Sequence, residues 1–198
     1  MRVDEGIIKR DFIKTLKIPK RKISPPLIIG LFGKICSGKS TVALAIAKKL
    51  PIVVLRTDIP RSMIIKKYGH NYNTIARIKR IVIKTGKELL EQQYSILVDA
   101  GNVGAANRKI FQNIAKAFNN KVIWLHIICP ENIIFKRLKK RRNMKDDLID
   151  YEIMADKKLY FNRKKIYDHN KALIDFFVTI NTARPLTPQI NKLVKKLS

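Results

Sequence analysis

Apolar residues gather along the chain in short runs separated by longer amphipathic stretches. Runs at 27–32, 52–56, 95–99, 121–128 and 175–180 have the length of strands and are rich in Ile, Val and Leu. Between them the pattern predicts helices near 39–50, 74–92, 105–118, 131–142, 151–170 and 186–197. Strand and helix in alternation predict an α/β domain with a mostly parallel five-stranded sheet and helices on both faces. The strands lack a clean two-residue alternation, as expected when both faces of a sheet are covered. Ile8, Phe12 and Leu16, four residues apart, allow a short amphipathic helix ahead of the first strand. Residues 1–26 end in Ser24-Pro25-Pro26 and read as a basic extension, packed on the domain or used for binding. Residues 27–198 read as one domain, without internal repeat or low-complexity tract.

Composition changes this picture in one respect. The 198 residues are 46% hydrophobic, which suits a globular chain, but 42 Lys+Arg face 15 Asp+Glu, a formal net charge of +27. Such an excess draws polyanions: nucleic acid, acidic membrane or phosphorylated substrates. A Lys-, Ile- and Asn-rich composition of the A+T-rich type accounts for Lys in place of Arg better than for the shortage of acids, and both origins stay open. Cys36 and Cys129 have no metal-type spacing, and His70, His126 and His169 are scattered, so no zinc site is expected. The longest apolar run, Val122 to Cys129, is interrupted by His126 and falls short of a membrane span. The expected setting is cytoplasmic and reducing.

The strongest chemical signal is Gly33-Lys34-Ile35-Cys36-Ser37-Gly38-Lys39-Ser40, a complete G-x-x-x-x-G-K-[ST] between a strand and a helix that opens with Thr41. Two glycines let the backbone bend until successive N–H groups converge on phosphate oxygens, and the following helix directs its positive end at the same anion. Lys39 reaches the β- and γ-phosphates and the Ser40 hydroxyl can ligate Mg²⁺, so ATP with Mg²⁺ is the expected cofactor pair. Cys36 reads most simply as a small residue that fits the loop.

Other motifs narrow the class. The chain has no N-K-x-D, no strand ending in Asp-Glu and no L-S-G-G-Q, the marks of GTPases, ATP-hydrolysing machines and transporters. Kinases need a group that takes the acceptor's proton, and Arg56-Thr57-Asp58-Ile59-Pro60-Arg61 supplies one after the second strand. Asp58 there can be the base and Arg61 can hold a substrate phosphate; the same residues also make an ordinary helix start with Pro in the first turn. The third strand ends in Asp99-Ala100-Gly101-Asn102, where a carboxylate can serve the metal or the substrate-binding Arg, or simply form a turn. Beyond Pro130 lies a cationic helix in which Arg137 and Arg141 share a face, as on a lid closing over a transferring phosphate; Lys139 and Lys140 fit a solvated surface better.

These blocks, in this order, resemble the predicted-kinase branch of P-loop proteins, with polynucleotide 5′-hydroxyl kinase domains, zeta toxins and chloramphenicol phosphotransferases. The likeness runs from about Leu27 to Pro185 and looks closest to the polynucleotide kinase domain. It implies a three-layer P-loop fold with an Arg-bearing lid. Lys39, Asp58 and Arg141 would be catalytic, with Asp58 as general base. Gly33 to Thr41 with Arg137 and Arg141 would hold the nucleotide, Ser40 the metal. Asp58, Arg61, Asp99, Asn102 and Arg108 would form the acceptor side, Asp99 bracing Arg61. Pro60 departs from the pattern, since such domains usually keep a backbone N–H there. The function so implied is transfer of the γ-phosphate of ATP to a hydroxyl, preferably a nucleic-acid 5′-hydroxyl. A small-molecule kinase and an ATP-dependent nucleic-acid-binding switch are the alternatives, and oligomeric state is not legible.

Overall fold

The computed structural model of the chain describes residues 3–72, 74–101, 104–142 and 157–197, with 141, 142 and 157 by backbone only. The strands are β1 (Ile28–Phe32), β2 (Ile52–Arg56), β3 (Ser95–Asp99), β4 (Val122–Ile128) and β5 (Val178–Asn181). The helices are α1 (Glu5–Lys14), α2 (Lys39–Ala47), α3 (Asp58–Tyr68), α4 (Ile75–Glu91), α5 (Ala105–Ala117), α6 (Glu131–Arg142), α7 (Lys157–Lys171) and α8 (Leu186–Leu197). A single turn of tighter helix, His70–Tyr72, joins α3 to α4.

Among the described residues the five strands form one sheet in the order β2-β3-β1-β4-β5, and every pairing is parallel. The sheet is therefore wholly parallel, where the sequence pattern predicted a mostly parallel one. The chain leaves β1 toward β2 on one side and returns from β3 to β4 on the other. The order reverses between β1 and β3, and their carboxyl ends border a crevice suited to ligands.

All five residues of β1 and of β3 are buried, because both faces of the sheet are covered. Alternate residues feed two cores. Ile28, Val53, Leu55, Ile96 and Val98 pack with α1, α3, α4 and α5; Ile29, Leu31, Ile52, Leu97 and Leu125 pack with α2 and α8. Gly30 is required by close approach: a Cβ there would overlap the ring of Trp124, its register partner on β4. The N-terminal segment contributes to the first core. Asp4 caps α1 by accepting from the Ile7 N–H, and Ile8 and Phe12 are fully buried against α3 and α4. Glu5 pairs with Arg77 and Arg80, and Lys9 with Glu88, across the α1–α4 contact.

Several sequence boundaries shift by one to three residues, and α3 lies outside the helical ranges drawn from periodicity. The last strand begins at Val178 because Phe176, read as strand, instead packs against Phe32 and His126. Helix α3 starts at Asp58 with Thr57 at its cap, and Pro60 sits in its first turn, where the missing N–H costs no intrahelical bond.

Candidate active site

The loop after β1 wraps at the carboxyl edge of the sheet and enters α2. Gly38 caps α2 with φ of 94°, a left-handed conformation that favours glycine, and a Cβ there would stand 2.9 Å from Thr182. At Gly33 a Cβ would meet the Ile127 carbonyl at 2.5 Å and Ser37 Oγ at 2.8 Å. Both glycines are thus fixed by backbone conformation or close approach. Cys36 also has positive φ, 57°, and its buried side chain belongs to an apolar cluster with Ile134, Leu138 and Tyr160. Ser37 Oγ is buried without a hydrogen-bond partner among the described residues. Lys39 curls over the loop and donates to the carbonyls of Gly33, at 3.1 Å, and Lys34, at 2.8 Å.

Three residues outside the motif hold this loop. Thr182, just after β5, donates its hydroxyl to the Ser37 carbonyl at 2.6 Å. Arg137 of α6 donates to the Cys36 carbonyl at 3.2 Å, to Thr182 Oγ1 at 3.0 Å and to the Thr182 carbonyl at 3.0 Å. Glu131, at the start of α6, accepts from Lys34 of the loop at 3.1 Å, from Lys164 at 2.8 Å and from Tyr160 at 2.9 Å. The hydrogen bonds from Lys164, Lys34 and Tyr160 pull the Glu131 carboxyl down to about 2. No local motif marks Thr182 or Glu131; the Cys129-Pro130 block that leads into α6 is the nearest sequence signal.

The acids gather where β2 and β3 end. Asp99 is buried, and burial raises its pKa, opposed by a hydrogen bond from Ser40 and the charge of Lys39. It therefore stands beside the Ser40 hydroxyl of the motif. The resemblance implies that Asp99 braces Arg61, yet the side chain that donates to it is Ser40. Asp58 accepts from Arg56 at 2.6 Å and lies close enough to Asp99 and Arg61 to shift both. Arg61 is half-buried, and burial lowers its pKa, with Asp58 opposing. Arg108 is buried on α5, donates to Asn170 of α7 at 2.9 Å and stands over the ring of Phe32 at 5.7 Å. Asn102 and the side chain of Arg141 lie outside the described residues.

A cavity of about 360 Å³ opens beside the loop, bounded by Gly33, Lys34 and Lys39 on one side and by α4, α5 and α7 on the other. Its floor is apolar, with Ile78, Val82 and Phe111; Arg61, Lys79 and Arg163 bring positive charge to it. Among the described residues, no Asp or Glu lines it. A space of this size and polarity suits one nucleoside-sized, phosphate-bearing group. The loop residues fit a bound triphosphate on geometry: the glycines let the loop pack close against Ile127 and Thr182, and the Lys39 ammonium lies over it. Ser40 with Asp99 offers a hydroxyl and a carboxylate, hard oxygen donors that suit Mg²⁺.

A model of the AAA domain family matches residues 28–160. The chain is 28% identical over 116 residues to the L-seryl-tRNA(Sec) kinase of Methanococcus maripaludis, a match covering 56% of this chain and 44% of that protein. The match spans less than half the length of that relative. In structure it is similar to a chain of the Pnkp1/Rnl/Hen1 RNA repair complex, with TM-score 0.59, 19% identity, and 76% of this chain and 47% of that one covered. It is also similar to the Mycobacterium tuberculosis APS kinase CysC in complex with AMPPNP and APS, with TM-score 0.55, 17% identity, and 87% and 98% covered. No helix of the described residues is long and apolar enough to cross a membrane.

Proposed function

The chain belongs to the AAA domain family, and we propose that it is an ATP-dependent kinase acting on a hydroxyl carried by nucleic acid, with a 5′-hydroxyl as the preferred acceptor. The observation that carries this reading is the junction of three groups: the phosphate loop with Lys39, the Ser40–Asp99 pair, and Asp58 at the neighbouring strand end. Lys39 and the loop amides neutralise the β- and γ-phosphates. Ser40 and Asp99 would hold Mg²⁺, which would supply positive charge against the phosphates. Asp58 accepts the proton of the attacking hydroxyl, and Arg61 holds a phosphate of the acceptor next to it. Arg137 keeps the loop in its phosphate-binding shape. The APS kinase similar to this chain is described with an ATP analogue, in keeping with ATP as the donor.

Two observations support a nucleic-acid acceptor. The formal charge of +27 supplies the phosphate contacts from which nucleic-acid affinity is built, and the relatives include an RNA repair complex and a kinase of a seryl-tRNA. The second also favours an alternative acceptor, the hydroxyl of an aminoacyl group esterified to RNA. The test is transfer of γ-labelled phosphate to a panel of 5′-hydroxyl RNA and DNA, seryl-tRNA, nucleosides and sugars. Label on the 5′-hydroxyl strands is expected. Label on seryl-tRNA alone selects the alternative, label on sugars alone refutes the nucleic-acid acceptor, and label on nothing with ATP still bound refutes the kinase.

A further inference from the structure

Helix α7 presents two neighbouring stripes to the rest of the chain. Tyr160, Lys164 and Tyr167 follow one another at the four- and three-residue steps that share a helix face, and Leu159 and Arg163 form the next stripe over. The first stripe is seated on the phosphate loop and its surroundings. Tyr160 is fully buried with Cys36 of the loop and with Ile134 and Leu138 of α6, and Tyr167 stacks on Phe32 at 5.0 Å. Further along, Asn170 accepts from Arg108 of α5. The second stripe lines the cavity. The position of that wall is therefore set by how α7 sits on the loop.

Charge opposes this seating. Helix α7 contains six Lys and Arg and one acid, Asp168, while the loop brings Lys34 and Lys39. Between the two stands Glu131, the first residue of α6. One of its oxygens, Oε1, accepts from Lys34 at 3.1 Å, from Lys164 at 2.8 Å and from Tyr160 at 2.9 Å. The two ammonium groups therefore stand within about 6 Å of each other. With no acid between them, such a pair repels by about threefold in an equilibrium if water screens it fully. At the effective dielectric of a protein surface the factor is about a hundredfold. Asp168 is a second acid nearby, and its charge reaches Lys164, Tyr160 and Tyr167. An acid in the first turn of a helix needs no function, since the helix dipole favours it there. Donors from the phosphate loop and from a second helix, meeting on one oxygen, are more than that role requires. Lys34 also lines the cavity and stands over the Tyr167 ring at 5.4 Å, so this carboxylate joins what the loop and the helix contribute to one wall.

We propose that Glu131 is a positioning residue for the acceptor. By neutralising Lys34 and Lys164 together, it seats α7 on the phosphate loop and fixes Lys34, Leu159 and Arg163 as the wall against which the acceptor binds. The proposal rests on the kinase reading and adds to it how the acceptor side is held. The shape of the loop has other supports: Thr182 and Arg137 hold the carbonyls of Ser37 and Cys36. Loss of the Glu131 charge should therefore weaken acceptor binding and leave ATP binding nearly as it was.

The test is Glu131→Gln, which keeps the size and an accepting oxygen and removes only the charge, at a partly exposed position. Hydrogen exchange of the α7 amides needs no acceptor. It is expected to be at least about tenfold faster than in the wild type, with the sheet strands unchanged. The KM for a 5′-hydroxyl hexaribonucleotide, or for seryl-tRNA if that alone takes label, should rise at least about tenfold. The kcat and the titrated affinity for AMPPNP·Mg²⁺ should stay within about threefold of wild type. Adding Lys164→Met removes one of the two like charges, and the double variant should recover to within about threefold of the wild-type KM and α7 exchange. A side chain that only fills space would give no such rescue. Unchanged α7 exchange in Glu131→Gln would overturn the seating, and an unchanged acceptor KM would overturn the positioning role. A double variant no better than the single one would overturn the charge mechanism. If the exchange effects appear as expected while no acceptor is phosphorylated, the seating of α7 stands and the kinase reading alone is refuted.

Discussion

Thr182 is far from the phosphate loop in sequence, yet its hydroxyl links the loop to Arg137 of α6. Thr182→Val keeps the shape of the side chain, including the methyl that packs near Gly38, and removes only the hydroxyl. Two hydrogen bonds go with it: the 2.6 Å donation to the Ser37 carbonyl and the 3.0 Å acceptance from Arg137. A neutral hydrogen bond contributes about 1 kcal/mol net and one to a charged group about 1.5–3 kcal/mol. Arg137 keeps the carbonyls of Cys36 and Thr182, and the site is partly open to water, so the lower part of that range applies. A loss of about 2 kcal/mol in loop preorganisation corresponds to roughly thirtyfold in nucleotide affinity. Isothermal titration of ATP·Mg²⁺ into the wild type and Thr182→Val reads this directly, with thermal melting as a check that the fold persists. Equal ATP affinity in the two proteins, within about twofold, would show that Thr182 does not set the shape of the loop.

Two further outcomes follow from buried groups elsewhere. His126 is buried against Phe176 and Tyr167, and burial holds its pKa down to about 4. The unfolded chain takes up a proton below about 6.5 that the native state refuses until about 4. Stability should therefore fall by up to about 3 kcal/mol as the pH drops through that window, and level off below it. Urea unfolding at about pH 7 and about pH 4.5 should show the loss in the wild type and a much smaller one in His126→Phe; the same loss in both would assign it to other groups. Gly30→Ala drives a methyl into the Trp124 ring between β1 and β4, and should destabilise the chain by about 1–3 kcal/mol in urea unfolding. An unchanged midpoint would mean that the ring has room to move.

The regular parts of the molecule, α3 excepted, were legible because local pattern and tertiary role agree. β2 and β3 fall on the residues that their apolar runs predict, and α6 and α8 on the ranges drawn from periodicity. The phosphate loop was legible for the same reason, since its chemistry is confined to eight consecutive residues. The strand order was not, because nothing local says that β3 pairs with both β1 and β2. Contacts that join distant segments escaped likewise. Thr182 and Ser37 are 145 residues apart, and Arg137 and Cys36 are 101 apart. Arg56 could be seen beside Asp58, but not that its guanidinium would bind that carboxylate.

Phosphoryl transfer is the central claim, and it turns on the carboxylate of Asp58. Single-turnover transfer from labelled ATP to a 5′-hydroxyl RNA, in the wild type and in Asp58→Asn, tests it most directly. The account predicts unchanged ATP affinity and a transfer rate lowered by about 10²–10⁴-fold. Transfer by Asp58→Asn at the wild-type rate would contradict it.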